Sequence, residues 1–293
     1  MSGSFSLPIV AGVLLCSTLV TAQGAPAPDV SLTPQNVEAG SPELIRVTAP
    51  AGTTVEGEWL GHKLDFFRGA DASEAFALAG VDVETPPGPS KLRITVTIRK
   101  AVIDLSRNVV IEPAHYRTST LTVAPRFVAP GPAELKRIEA ESRLKVRIFA
   151  ASSSERLWRR SFQAPVRAEP TDSFGTRRVF NGELASIHKG MDFRARLGTP
   201  VLADNAGIVV LARPLYYEGN CVILDHGLGL FTMSMHLSRI RVREGQHVRQ
   251  GQQLGLSGAT GRATGPHLHW AVRWDGAYLD PAKLLRLNLT DLH

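Results

Sequence analysis

Apolar and polar residues alternate with period two along much of this chain, a pattern that predicts strands with one buried face. The clearest case is residues 91–99, where Leu92, Ile94, Val96 and Ile98 alternate with Arg93, Thr95, Thr97 and Arg99. Segments at 44–47, 55–60 and 120–123 read the same way, separated by Pro and Gly. Together they predict a β-sandwich-like accessory domain over residues 31–125. Pro130 and Pro132 then mark a boundary. Residues 133–160, rich in Glu, Lys, Arg and Ala, predict a partly helical connector within 130–168. Leu135 and Ile138 fit a helical stripe there, whereas Leu144, Val146 and Ile148 alternate as in a strand. Its basic run, Arg156, Arg159 and Arg160, reads as a solvated face.

From about residue 170 the pattern becomes short strands closed by glycine turns. Residues 200–203, 207–212, 221–224, 230–234 and 267–273 are the strand candidates, with turn signals at Asp204-Asn205, Glu218-Gly219-Asn220, Asp225-His226-Gly227 and 258–265. No long amphipathic pattern interrupts them, so an antiparallel sheet system is expected rather than βαβ units. The predicted fold class is mainly β: a β-sandwich-like domain, a connector, and an antiparallel C-terminal domain over 170–285.

One apolar run departs from this texture. Residues 7–20 are uncharged and are followed by Val20-Thr21-Ala22 and Gln23. That predicts an export signal or membrane anchor over residues 1–22, short for a bilayer span. Residues 1–6 carry no Lys or Arg, unlike an ordinary signal n-region, which keeps the uncleaved-anchor reading alongside the cleaved one. Either places the protein outside the cytoplasm, and the anchor is the one membrane contact the sequence predicts.

Composition changes the picture only slightly. The chain has 43% hydrophobic and 20% charged residues, a globular balance, and a net charge of +6. The charge favours an anionic partner without choosing among nucleic acid, membrane surface and wall polymer, and the positive charges are scattered and form no nucleic-acid arm. Of the two cysteines, Cys16 lies in the apolar run, so Cys221 would stand alone in a processed chain, with no disulfide. It sits in an apolar segment and reads as a small buried hydrophobe.

The histidines carry more. His62 and His115 stand alone in the first domain and read as surface or structural, as do His247 and His293. His188, His226, His236, His267 and His269 fall in the C-terminal domain. His188-Lys189-Gly190-Met191-Asp192 places an imidazole and a carboxylate four apart, on a turn into a strand. His267 and His269 are two apart, so a strand would point both to one face. His236 follows another apolar strand. His and Asp are ligand types that suit zinc, whose catalytic sites keep three protein ligands and an open position. A further unligated imidazole can accept and return a proton. Spacing alone leaves a metal site and ordinary turns both open. His226 reads as a structural residue of a hairpin turn. The loop 258–265 lacks the Gly-Lys-Ser/Thr ending of a phosphate loop and precedes a strand, so it reads as a turn bringing backbone to a groove.

The order of several motifs resolves this. Ser173-Phe174-Gly175, His188-Lys189-Gly190-Met191-Asp192, Gly198-Thr199-Pro200-Val201 and Asp225-His226-Gly227-Leu228-Gly229 come first. His236-Leu237-Ser238, Val248-Arg249-Gln250-Gly251-Gln252, Gly258-Ala259-Thr260-Gly261 and Gly265-Pro266-His267-Leu268-His269-Trp270 follow. The series resembles the lysostaphin-type, LytM-like (M23) zinc metallopeptidases over residues 170–285. The resemblance implies an antiparallel β-fold with a groove, one zinc ion per chain, and hydrolysis of cross-links or stem peptides in peptidoglycan in the periplasm or cell envelope. By position it implies His188, Asp192 and His269 as zinc ligands, His267 as general base, and His236 as a second catalytic histidine that orients water or supports the oxyanion. The chain departs from the family in carrying Ser234 where a tyrosine is common. The alternative is a latent or non-catalytic binding module that regulates other wall hydrolases; the complete set of ligand types argues against it.

Overall fold

The computed structural model describes residues 27–182, 184–290 and 292. The run 7–20, with Cys16 in it, and His293 lie outside them. Among the described residues the chain is mainly β, with one long helix, and no helix is long and apolar enough to cross a membrane.

Two sheets form the N-terminal part. One orders its strands Asp29–Thr33, Pro42–Thr48, Glu74–Gly80 and Phe67–Arg68; the other orders Val37–Glu38, Ala101–Glu112, Gly88–Ile98, Thr54–Trp59 and His62–Leu64. The alternation at 91–99 appears as expected: Leu92, Ile94 and Val96 are buried, with the residues between them at least partly exposed. These side chains join Ile45, Val47, Trp59 and Ala77 in one apolar cluster that continues into the C-terminal part through Trp270, Leu279 and Leu284.

The connector begins with the helix Pro132–Phe149, which has proline in its first turn, where a missing N–H costs nothing. The ambiguous stretch is helical: Leu144 and Ile148, four apart, pack on Leu211, Phe231 and Met233, while Val146 points to solvent. Ion pairs Arg137–Glu141 and Arg143–Glu139 sit at the i,i+4 spacing of an exposed face. The helix ends well short of residue 160, and the following segment wraps back onto the sheets with Trp158 fully buried. The solvated-face reading of the basic run holds for Arg159 and Arg160, but Arg156 lies over the rings of Phe67 and Trp158, 4.1 and 5.0 Å from their centres.

The C-terminal part is built on an antiparallel sheet running Pro170–Asp172, Met191–Phe193, Leu268–Trp274, Leu230–Leu237, Gly219–Gly227, Gly207–Leu215 and His247–Val248, with Ala277–Leu279 beside Leu268–Trp274. Pro200–Leu202, Gln253–Leu256 and Arg239–Ile240 make a smaller sheet. One pairing differs from the antiparallel expectation: Thr118–Leu121 runs parallel to Arg177–Phe180, which pairs in turn with Leu184–Ile187. The candidate strand near 120 therefore extends a C-terminal sheet, because the open edge of Arg177–Phe180 offers it backbone partners. Further bonds tie the two parts: Tyr116 donates to the Ala39 carbonyl, Lys189 pairs with Glu84, and Lys283 pairs with Glu38.

Candidate metal and active site

Adjacent strands deliver the chemistry. Met191–Phe193 pairs with Leu268–Trp274 so that Asp192 stands opposite His269, and Met235 stands opposite His269 from the other side. Directly opposed residues share a face, so register alone gathers these side chains. His188 arrives from the turn before Met191. That turn needs glycine: a Cβ on Gly190 would lie 2.5 Å from His269 Nε2 and 2.7 Å from the Trp270 carbonyl oxygen.

His188, Asp192 and His269 are all buried, and each offers one atom to a common point. His188 Nε2 lies 2.9 Å from His269 Nδ1 and 3.1 Å from Asp192 Oδ1, and the last two are 2.8 Å apart. The Nδ1–H of His188 donates to the Ser173 carbonyl at 3.0 Å, which turns its Nε2 lone pair toward that point. Three acceptor atoms this close repel unless a proton or a cation lies between them. A proton on His269 Nδ1 satisfies one pair; a divalent cation satisfies all three, and the residues fit one.

The local electrostatics favour that state. Burial alone raises the Asp192 carboxyl, but hydrogen bonds to His188 and His269 outweigh it and hold it well below the usual carboxylate range. Burial pushes His269 down to about 4, against the pull of Asp192, so the ring is neutral at neutral pH. The second oxygen, Asp192 Oδ2, accepts a hydrogen bond from Arg178, whose Nη2 and Nε also donate to Asp172 at 2.6 and 3.0 Å. Arg178 thereby fixes which carboxylate oxygen faces the imidazoles. Sequence reading missed Arg178; an Arg-Arg pair on a short strand looks like a solvated face, and only the fold turns one of them inward.

Two more imidazoles flank the trio. His267 Nε2 is 3.8 Å from Asp192 Oδ1, and its Nδ1–H donates to the Gly265 carbonyl at 2.8 Å. His236 donates from Nδ1 to the Thr260 carbonyl at 2.8 Å. The His236 ring is centred 4.8 Å from that of His267 and 6.0 Å from that of His269. Burial first, then the neighbouring His269 and His267, push His236 down to about 3. His236 has a left-handed backbone, φ 59°, which costs a non-glycine residue energy. That twist lets His236 line the same groove as its neighbour Met235, although an untwisted strand would send them to opposite faces.

All five predicted site residues line one groove of about 980 Å³. Its walls come from Thr118–Leu121 and Arg177–Phe180 on one side and from the loop before His267 on the other. The remaining histidines lie elsewhere. His226 is fully buried and spends both ring nitrogens, on the Ala206 carbonyl at 2.7 Å and the Thr232 hydroxyl at 2.8 Å. His62 packs edge-on against Trp274, and His247 is exposed. Ser234 stands opposite Trp270, buried, and does not line the groove. Cys221 is buried, and burial raises its thiol pKa, so it is no nucleophile.

Residues 186–281 match the model for peptidase family M23. Peptidoglycan DD-endopeptidase ShyA of Vibrio cholerae is 51% identical over 102 residues, covering 35% of this chain and 23% of that protein. DD-carboxypeptidase/endopeptidase Mpg of Neisseria meningitidis is 39% identical over 98 residues, 33% of this chain and 23% of that one. A crystal structure described as a candidate peptidase M23 from Pseudomonas aeruginosa superposes with a TM-score of 0.62 at 27% identity, over 85% of this chain and 94% of that one. By these likenesses residues 186–281 resemble a domain of peptidase family M23. The matched region spans about a quarter of the length of these curated relatives.

Proposed function

We propose that the chain is a zinc-dependent endopeptidase that hydrolyses cross-links or stem peptides of peptidoglycan in the bacterial cell envelope. The observation that carries the reading is the convergence of three lone-pair atoms, on His188, Asp192 and His269, beside two further imidazoles in an open groove. The donor set, two nitrogens and one carboxylate oxygen, suits zinc with a position left for solvent or substrate. When bound, zinc supplies a Lewis acid that acidifies water and polarises a carbonyl.

The protein's own groups supply the proton traffic. His267 holds its proton on Nδ1, against the Gly265 carbonyl, so Nε2 presents a lone pair near Asp192. It takes the proton of the attacking water and returns it to the leaving amine. The imidazolium formed in between keeps its Nδ1–H bond to Gly265. His236 is bound the same way to Thr260 and is neutral, so its Nε2 also accepts. That geometry favours the water-orienting role. Supporting an oxyanion would require His236 to carry a second proton, which its burial opposes. The peptidoglycan assignment rests on what the relatives are named for, and the envelope location follows from that substrate.

The test pairs metal content by mass spectrometry with digestion of purified peptidoglycan, comparing the wild-type chain with His269→Ala. About one zinc per chain and new muropeptides from the wild type, with both lost in the variant, is the expected result. Zinc in both proteins, or products from both, would overturn the ligand assignment.

A further inference from the structure

Four cations line the groove, and three are engaged. Lys189 is paired with Glu84 at 2.6 Å, Arg178 with Asp172 and Asp192, and Arg117 donates to the Ser173 hydroxyl at 3.3 Å. Arg262 differs. Its guanidinium lies over the rings of Phe180 and Tyr217, 4.6 and 4.5 Å from their centres, and has no hydrogen bond or ion pair among the described residues. Glu218, whose charge acts on Arg262, is already paired with Lys145.

The loop that carries Arg262 is held firmly. Its own backbone N–H donates to the Tyr217 carbonyl at 2.9 Å. Two residues earlier, the Thr260 hydroxyl donates to the Leu237 carbonyl at 2.8 Å and accepts from the Asn220 N–H at 2.9 Å. Gly261, at φ 72°, presses so close to Gly219 that a Cβ would lie 2.3 Å from its nitrogen. A guanidinium stacked on aromatic rings keeps its charge and its planar fork of donors while losing little further entropy on binding. Among the described residues no hydrogen-bond acceptor meets its donors, a costly state for a partly buried cation, and the fork matches a carboxylate in two-point geometry.

We propose that Arg262 is a substrate-reading residue that binds a free carboxylate of an acidic peptide lying in the groove. The idea rests on the endopeptidase reading for the name of the substrate, but the binding chemistry does not depend on turnover. Phe180 and Tyr217 hold the fork in place, so the site selects peptides bearing a free carboxylate over the same peptides with that group amidated.

The experiment measures, by calorimetry on zinc-loaded protein, the affinity for a synthetic stem tetrapeptide with free carboxylates and for the same peptide with every carboxylate amidated. The free acid is expected to bind roughly tenfold or more tightly, the weight of a charge-assisted pair of hydrogen bonds. In Arg262→Gln that ratio falls toward one, and Arg262→Lys restores part of it. Arg249→Gln, at an exposed position, controls for net charge. The same ratio in Arg262→Gln as in the wild type, or equal binding of both peptides by the wild type, overturns the proposal. Selective binding with no cleavage of purified peptidoglycan sinks the enzyme reading and leaves this one standing. Cleavage without selectivity does the reverse.

Discussion

The N-terminal sheets and the C-terminal sheet are both β and share an apolar cluster, yet they bury different things. In the first, the buried polar side chains are few, and Glu43 is the one acid among those described. In the second, His188, Asp192, Asp204, Asp225, His226, His236 and His269 are all buried. A buried ionisable group is costly without partners, so such a concentration demands explanation, but burial alone does not identify a site. His226 and Asp225 are satisfied by neighbours, Asp225 by the Ser152 hydroxyl and the Ser153 N–H. They hold the connector and a hairpin in place. What distinguishes His188, Asp192 and His269 is that their free lone pairs meet. The contrast teaches that convergence of unspent acceptors, more than burial, separates chemistry from architecture.

The sharpest way to break that contrast is His267→Ala. Metal should stay, because this imidazole is not one of the converging three, while peptidoglycan hydrolysis falls by about 10²–10⁴-fold, the usual weight of a general base. Loss of zinc from this variant, read by mass spectrometry, would mean that the roles of His267 and its neighbours are misassigned.

Next in size is Trp59→Ala in the N-terminal part. Trp59 is buried, and its indole N–H donates to Ser90 at 3.1 Å. The expected cost is about 3–5 kcal/mol of stability, near 10 °C in melting temperature for a chain of this size. Because the apolar cluster spans both parts, calorimetry should show one transition moving as a whole. Two separated transitions would show that the parts unfold independently.

The smallest effect concerns Glu43, which burial pushes up to about 8 from 4.5, against weaker lowering by the Ser41 hydrogen bond and Lys283. A carboxyl raised on folding binds more protons in the folded state across that window. Its contribution is therefore full below pH 4.5 and is lost as pH rises toward 8, with a slope of up to about 1.4 kcal/mol per pH unit. Glu43→Gln should flatten the decline in denaturation midpoint between these pH values. An unchanged slope would locate the titration elsewhere.

Much of this was legible in the chain because it is local. Alternation at Leu92, Ile94 and Val96 requires no knowledge of partners, and the two-residue spacing of His267 and His269 survives in the groove they share. What was not legible depends on distant pairing or on a single dihedral. Residues 120–123 looked like one more strand of the first domain, because nothing within them names Arg177–Phe180 as the neighbour of Thr118–Leu121. Arg178 drew no notice in the sequence, because its partner Asp192 comes to it only through the fold. His236 was placed in the site only by resemblance, and its left-handed backbone follows from the turn it must make rather than from its type. Leu144, Val146 and Ile148 alternated as in a strand, yet Leu144 and Ile148 pack on Leu211 and Phe231 from a helix.

The seam between the two parts also bears on the order of folding. Leu279 packs so tightly on Gly80 that a Cβ there would lie 2.3 Å away, the Asp280 N–H donates to the Gly40 carbonyl, and Lys283 reaches Glu38, a pairing that spans 245 positions. The N-terminal sheets thus wait for residues 279–283, some two hundred positions later, to complete their packing. Contacts of such separation form late, and the half-covered sheets are the species most exposed to aggregation. A nascent chain completes this core only when the strand Ala277–Leu279 and the short helix Pro281–Arg286 arrive.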